Sequence, residues 1–480
     1  MRAIRTSWSA ALWVLLSVVA STATAQQVDR SERPVAPPSP AFAFPHVATR
    51  TLANGMRVAV VENHAVPVVA VRIVLPVDSV ADPRGKEGLY WLMLSMLRDG
   101  TTSRTPEQLA AAMAELGTTV SPTSFTTVTG NYVAALNLMA DMVAHPAFSP
   151  SAFTVRQAAR VATVQRQLQL PISVPRRIMY TTLFGPEHPV ARSANATEES
   201  AKAITLDDVK AFHARYVQPQ NLTLVIAGDV RAADAFEAAT QAFGAWPRSG
   251  EAFVPRELPA APAPQPTTIF LVDRPGATQT NVASAQLGPA ITSSDYTPLT
   301  MMGTILGAGQ LSRLMQNLRA RHSYVYSAAL TQLLWRNAPE PSLLQGLATL
   351  PTAKTDSAMM EWVGELRAIR GDRPPTEDEM SAARAALITS LPTQIETMDG
   401  VADRVALLAR NKLPFDFDNR VAATAAHLAA GDITRVAQTY LDPTHTVFVI
   451  AGDRKAIEPA LRAMNIGPVV VVDEHGSPLP

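Results

Sequence analysis

Along this chain the apolar positions fall into two rhythms, one suited to strands and one to helices. Residues 56–61 and 66–76 are dense in valine, and Asn54-Gly55 marks a tight turn before them. Residues 51–64 therefore read as the start of a strand pair, and 66–76 as a second strong strand. The stretch 85–101, GKEGLYWLMLSMLRDGT, changes rhythm. Its core, 89–97, is apolar on nearly every side, the pattern of a buried helix, and Arg98-Asp99-Gly100 supplies the stop. Thr105-Pro106-Glu107-Gln108 is a helix start, with Thr as N-cap, Pro at the first helical position and Gln closing the box. Further on, 120–130 is strand-like, 136–143 helical, 151–170 a long helix, 205–216 another helix, and 222–227 a buried strand.

The pattern repeats. Tyr216 and Pro219 lead into LTLVIAGD at 222–229, and Tyr440 and Pro443 lead into TVFVIAGD at 446–453, at one offset of 224 residues. A helix precedes and follows each copy. A second, looser echo opens at Ile269, and the segment before it, LPAAPAPQPTT, has linker composition. Two homologous helix-plus-sheet halves follow from this, residues 47–255 and 269–470, with a linker at 256–268 and a tail at 471–480 that is short and polar after Val472 and expected to be loose there.

Composition narrows the function. The chain has 480 residues, 47% of them hydrophobic, which suffices for large cores. Basic and acidic residues number 41 each and form no polybasic run, so neither nucleic acid nor an anionic surface is an expected partner. Arg2 and Arg5, the apolar run 8–20 and Ala23-Thr24-Ala25 have the layout of a cleaved signal peptide, residues 1–25. That run is too short for a membrane anchor, which needs roughly 20 apolar residues. Cysteine is absent, which removes lipid attachment through a cysteine, disulfides and a thiol nucleophile. A periplasmic protein is expected, with a Pro-rich, flexible leader at 26–46. Gly-x-Ser-x-Gly and P-loop patterns are also absent.

The frame of 85–101 resembles the zinc helix of the pitrilysin/insulysin-type peptidases, an inverzincin family. There a Gly-Leu pair opens a helix carrying His-x-x-Glu-His and an x-x-Gly-Thr tail closes it. Two His bind zinc from one helix face and the Glu activates the metal-bound water. The corresponding positions here are Trp91, Leu94 and Ser95, none of which binds zinc usefully or takes a proton at neutral pH. The duplication is also a family feature, and the resemblance covers roughly 47–465. FGPEHP at 184–189 is similar to the family's Phe-Gly-x-x-His-Pro run, and 197–205 is family-like. The resemblance implies an α+β fold: two homologous α/β roll domains, each an antiparallel-rich sheet plus helices, forming a clamshell. It places the third zinc ligand, a Glu, on the helix at 151–170, yet 142–186 contains no Asp or Glu, and Arg156, Arg160 and Arg166 line that helix instead. No metal or cofactor is expected on this chain.

What survives lies in the second half. SRLMQNLRARHSYVYS, 312–327, is similar to the family's Ser-Arg-Leu…Leu-Arg…Tyr-Ser run, after the Gly-bearing lead-in 305–309. The resemblance assigns substrate contact to Arg319 and Tyr326. Ala320 and Ser323 depart from the family pattern, which has an acid and a Gly there. His322, Arg313 and Arg321 read as surface residues and Trp91 as core. The implied function is that of a non-catalytic, substrate-binding subunit of a heterodimeric zinc metalloendopeptidase that degrades peptides. Zinc would be held by a homologous partner carrying the intact motif, and an extended peptide could add to a sheet edge. The alternative is a structural scaffold subunit or a homodimeric peptide-binding protein.

Overall fold

The valine-rich runs build two sheets. The computed structural model describes residues 42–170, 172–254, 257–333 and 341–479, so the expected signal peptide and all but the last residues of the leader fall outside it. The first sheet contains β1 (Ala48–Thr51), β2 (Arg57–Glu62), β3 (Val68–Val74), β4 (Ser124–Val128) and β5 (Thr223–Gly228), in the order β1-β2-β5-β3-β4. The second contains β6 (Thr268–Asp273), β7 (Gln279–Ala290), β8 (Ser327–Leu333), β9 (Pro341–Pro351), β10 (Val447–Gly452) and β11 (Val469–Val472), in the order β11-β6-β10-β7-β9-β8. The α+β class, with two sheets, is as the sequence predicts.

The repeated strand is the centre of each sheet. β5 runs parallel to β2 and antiparallel to β3, with Val58 opposite Leu224 and Val71 opposite Ile226. β10 does the same with β6 and β7, pairing Ile269 with Phe448 and Val282 with Ile450. The shared Gly has a steric reason. A Cβ on Gly228, whose φ is +139°, would lie 2.1 Å from the Val68 carbonyl oxygen, and one on Gly452 would lie 2.6 Å from Thr280 Oγ1.

β5 and β10 are buried along their whole length, so both faces of each sheet need cover. One face packs on helices of its own half. On the first sheet these include Leu89–Met96, Tyr132–Ala144 and Leu206–Tyr216. The other face of each sheet is covered by a helix from the opposite half. Met398–Arg410 lays Val401, Ala402 and Val405 on the first sheet, against Ala59, Ala70 and Ala227. Ser173–Phe184 lays Val174, Ile178 and Met179 on the second, against Ala283, Ala285 and Ala451. The small alanines let each visiting helix approach closely, and the halves are thereby interlocked.

Chain segments expected to be loose are tied down at their inner ends. Within the leader, Phe44 is buried and donates its backbone N–H to Asn419 Oδ1 at 2.9 Å. In the linker, the Pro259 carbonyl lies 2.8 Å from His188 Nε2. His188 Nδ1 accepts from the Val190 N–H, so Nε2 carries the proton and donates. At the C-terminal end, Val471 and Val472 are buried in β11, whose run of four valines pairs with β6 and extends the core, and the Leu479 N–H returns to the Val471 carbonyl at 2.8 Å.

Interlocking has a thermodynamic consequence. Leu408 and Met179 are fully buried in the two exchanged interfaces. Leu408→Ala and Met179→Ala should each cost about 2–5 kcal/mol. Calorimetry should show one shared unfolding transition shifted by either change, not a loss confined to one half.

Candidate functional site

The degenerate metal helix is Leu89–Met96. Its N-cap is Gly88 at φ +113°, where a Cβ would come within 2.6 Å of Arg160 Nε. Gly88 has no side chain to cap with, so Asp82 does so from a distance. Its carboxylate accepts the N–H groups of Gly88 at 2.7 Å and Tyr90 at 2.8 Å. Asp82 is buried, and burial pushes its carboxyl up to about 7. The two backbone donors and Arg160 pull the other way, and Glu87 adds to the rise. Burial likewise lowers the Arg160 guanidinium, opposed by Asp82, and Arg160 Nε has no hydrogen-bond partner among the described residues. At the other end of the helix, Arg156 grips Asp99 with two bonds of 2.6 and 2.5 Å. Both arginines belong to the helix Pro150–Gln169, so the helix expected to bring a zinc-binding acid instead clamps its neighbour with cations.

The motif positions are poor zinc donors in place as well as in type. Ser95 Oγ donates back to the Leu92 carbonyl at 2.8 Å. Among the described residues no group of three or more His, Cys, Asp or Glu could hold a metal ion. The residues present do not fit zinc.

Trp91 departs from its predicted place. It is 43% exposed, not core. Leu89, Tyr90, Leu92, Met93 and Met96 take the buried faces, which leaves positions 91, 94 and 95, spaced i, i+3, i+4, as the least buried side, with Leu94 still packed in part against the core. Trp91 and Leu94 line a cleft of ≈ 530 Å³ there. Its far wall is the exchanged helix Met398–Arg410, through Asp403, Ala406 and Leu407. Arg72 forms one side. Its guanidinium meets Asp399 at 2.5 Å and Asp403 at 2.6 Å, and also donates to the Val71 and Phe125 carbonyls. The sheet edge beside the cleft is partly engaged, because the Ser124 carbonyl accepts from the Ser121 N–H and the Thr126 carbonyl from Thr118 Oγ1.

Arg319 and Tyr326 are brought together. Residues Met315–Arg321 form a π-helical turn, and the Arg319 guanidinium lies 5.1 Å from the centroid of the Tyr326 ring, a cation–π contact. Arg319 Nη1 reaches Gln310 Oε1 at 3.3 Å, and Tyr326 is 83% exposed. Ser323 adopts φ +55°, the left-handed conformation that a glycine would hold without strain. Arg321 is exposed and His322 stacks on Tyr324 at 4.9 Å. Arg313 is not the surface residue that the sequence suggested. It is buried, bidentate to Glu379 with both bonds at 2.7 Å, and it donates to the Arg373 and Pro374 carbonyls, fastening the turn to the helix Glu377–Gln394.

The sequence reading missed Arg72, Asp82 and the Met398–Arg410 wall. The apolar spacing of 398, 401, 402 and 405 marks an amphipathic helix, but nothing local says that it crosses to the other half.

Known proteins share this fold. The family model described as "Peptidase M16 inactive domain" matches residues 203–387. An uncharacterized zinc protease of Mycobacterium bovis is 24% identical over 442 residues, covering 89% of this chain and 98% of the relative. The mitochondrial-processing peptidase subunit beta of Blastocladiella emersonii is 22% identical over 85% of this chain and 89% of its own. Among solved structures, a peptidase M16 inactive domain from Pseudomonas fluorescens superposes with a TM-score of 0.76 at 22% identity, over 85% of this chain and 98% of that one. A Helicobacter pylori protease gives 0.78 at 19%, over 85% of this chain and 100% of its own. The fold is thus the one that the resemblance implied, and the matched model is that of an inactive peptidase domain.

The Asp82 cap sets a pH dependence. Its folded carboxyl titrates near 7, above the unfolded value of 3.8. Its contribution to stability is therefore complete below about pH 4 and lost as pH rises through 7. Denaturant unfolding between pH 4 and 8 should show this slope, and Asp82→Asn should flatten it.

Proposed function

Taking as premise that this chain is a relative of the M16, pitrilysin-like zinc peptidases with a degenerate zinc motif, we propose that it is the non-catalytic, substrate-binding subunit of a heterodimeric zinc endopeptidase, exported to the periplasm. Its partner is a homologous chain with an intact His-x-x-Glu-His, and its substrates are peptides. One relative is itself named as a subunit of a processing peptidase.

The carrying observation is the Arg319–Tyr326 pair, assembled 5.1 Å apart at the surface of a chain whose own metal positions hold Trp91, Leu94 and Ser95. A guanidinium and a phenol facing outward can donate to a peptide carbonyl and to the oxyanion that forms on it when a partner's zinc-bound water attacks. Tyr326 fixes the guanidinium by its ring and keeps its own O–H for the substrate. Neither group can start the reaction, since neither generates a nucleophile at neutral pH.

The test is a quenched-peptide assay of this chain with a zinc-motif-bearing sibling. Arg319→Ala should lower kcat/KM of the mixture by about 10²–10³-fold, as the loss of one oxyanion donor does, with the sibling's zinc content unchanged. Unchanged kcat/KM would remove Arg319 from the site. Chelator-sensitive activity from this chain alone would overturn the non-catalytic reading.

A further inference from the structure

We propose that the cleft over Trp91 is a pocket for one large apolar side chain, an aromatic one best of all, in a bound peptide. It takes the ligand's class from the peptide-binding reading above. It does not depend on Arg319 or Tyr326, because the wall that the second half contributes comes from Met398–Arg410 and not from the π-helical turn.

Four observations lead there. First, Trp91 leaves 43% of its surface exposed in a concavity of ≈ 530 Å³, within the range of small-ligand sites and large enough for a side chain with its flanking backbone. Second, the indole is already fixed. The Tyr90 ring meets it edge-on, 5.1 Å between centroids and 76° between planes, so binding costs little additional side-chain order. Third, the Arg72 guanidinium is engaged by Asp399, Asp403 and two backbone carbonyls, so it presents no open charge to draw a carboxylate. Leu94, Leu75, Ala406 and Leu407 form the apolar part of the lining, where an uncharged side chain can settle on the indole, and Thr123, Ser124, Asp403, Arg410 and Asn411 form the polar part, facing the rest of the peptide.

Fourth, two other uses of the space are poorly served. The donors for a metal are absent from the helix face. Strand addition at the adjoining edge competes with Ser121 and Thr118, which already occupy the Ser124 and Thr126 carbonyls. A peptide that reaches this cleft is gripped by a side chain instead of its main chain. The helix face that carries Trp91, Leu94 and Ser95 in place of metal donors therefore borders an open receptacle and not a filled core.

The experiment titrates the full chain with two octapeptides that differ at one central residue, Phe or Ala, read by calorimetry. The Phe peptide should bind about ten- to hundredfold more tightly, the worth of burying one aromatic side chain. Trp91→Ala, and separately Ala406→Trp, which fills the cleft from the opposite wall, should erase that preference while leaving the Ala peptide's affinity in place. Trp91→Phe should restore part of it. A preference that survives both disruptive variants overturns the pocket, as does equal affinity of the two peptides for the unmodified chain. A preference kept in Arg319→Ala but lost in Trp91→Ala upholds the pocket whatever becomes of the Arg/Tyr pair. Failure of both peptides to bind overturns this inference together with the peptide-binding reading it borrows from.

Discussion

Everything in this molecule answers to one requirement: each sheet is apolar on both faces, and its own half supplies cover for only one of them. The exchange of Met398–Arg410 for Ser173–Phe184 meets it. Because the central strands face helices of both halves, they are buried at every position, and the alanines on the outer faces set how near the visiting helices can come. The same exchange makes the cleft. Asp403, Ala406 and Leu407 line the cleft with Trp91 because their helix lies across the neighbouring sheet, and Arg72 is held half-buried between Asp399 and Asp403 for that reason too.

The Leu89–Met96 helix is held in place by side chains of a neighbouring helix. Metal ligands cross-link elements, and their removal takes away that cross-link. Here Pro150–Gln169 still holds Leu89–Met96 at both ends, with Arg160 beside Gly88 and Asp82 and with Arg156 on Asp99. Capping this helix with Asp82 is costly, since its carboxyl is withdrawn from water and pushed toward the neutral form, and the Arg160 guanidinium whose field reaches it keeps an Nε without a partner among the described residues.

The repeat was legible because its residues are local and obligatory. Two copies of Ile-Ala-Gly-Asp at one spacing announce two central strands, and Gly228 and Gly452 are conformational necessities. The Thr105 capping box and the strand pair around Asn54-Gly55 follow from short-range chemistry and stand as read. What failed depends on distant neighbours. Trp91 reads as core because every nearby residue is apolar, and only the third dimension shows that its side of the helix opens on a cleft. Arg313 reads as surface because an arginine beside polar residues ordinarily is. Its partner Glu379 lies far along the chain, and two carbonyls complete its shell. The Arg319–Tyr326 contact was reachable from family likeness, since six residues of intervening chain say nothing by themselves about which way the two side chains turn.

The traded helices also bear on how such a chain can be divided. A gene cut within 256–268 would encode two fragments, each with a sheet lacking the lid that its counterpart carries. Neither fragment could shield its own β5 or β10 from solvent, and each would be sticky alone, yet the pair would hold matching missing parts. Ancestral duplication has here become mutual dependence: the two copies no longer stand as modules in tandem, and they persist as one indivisible body.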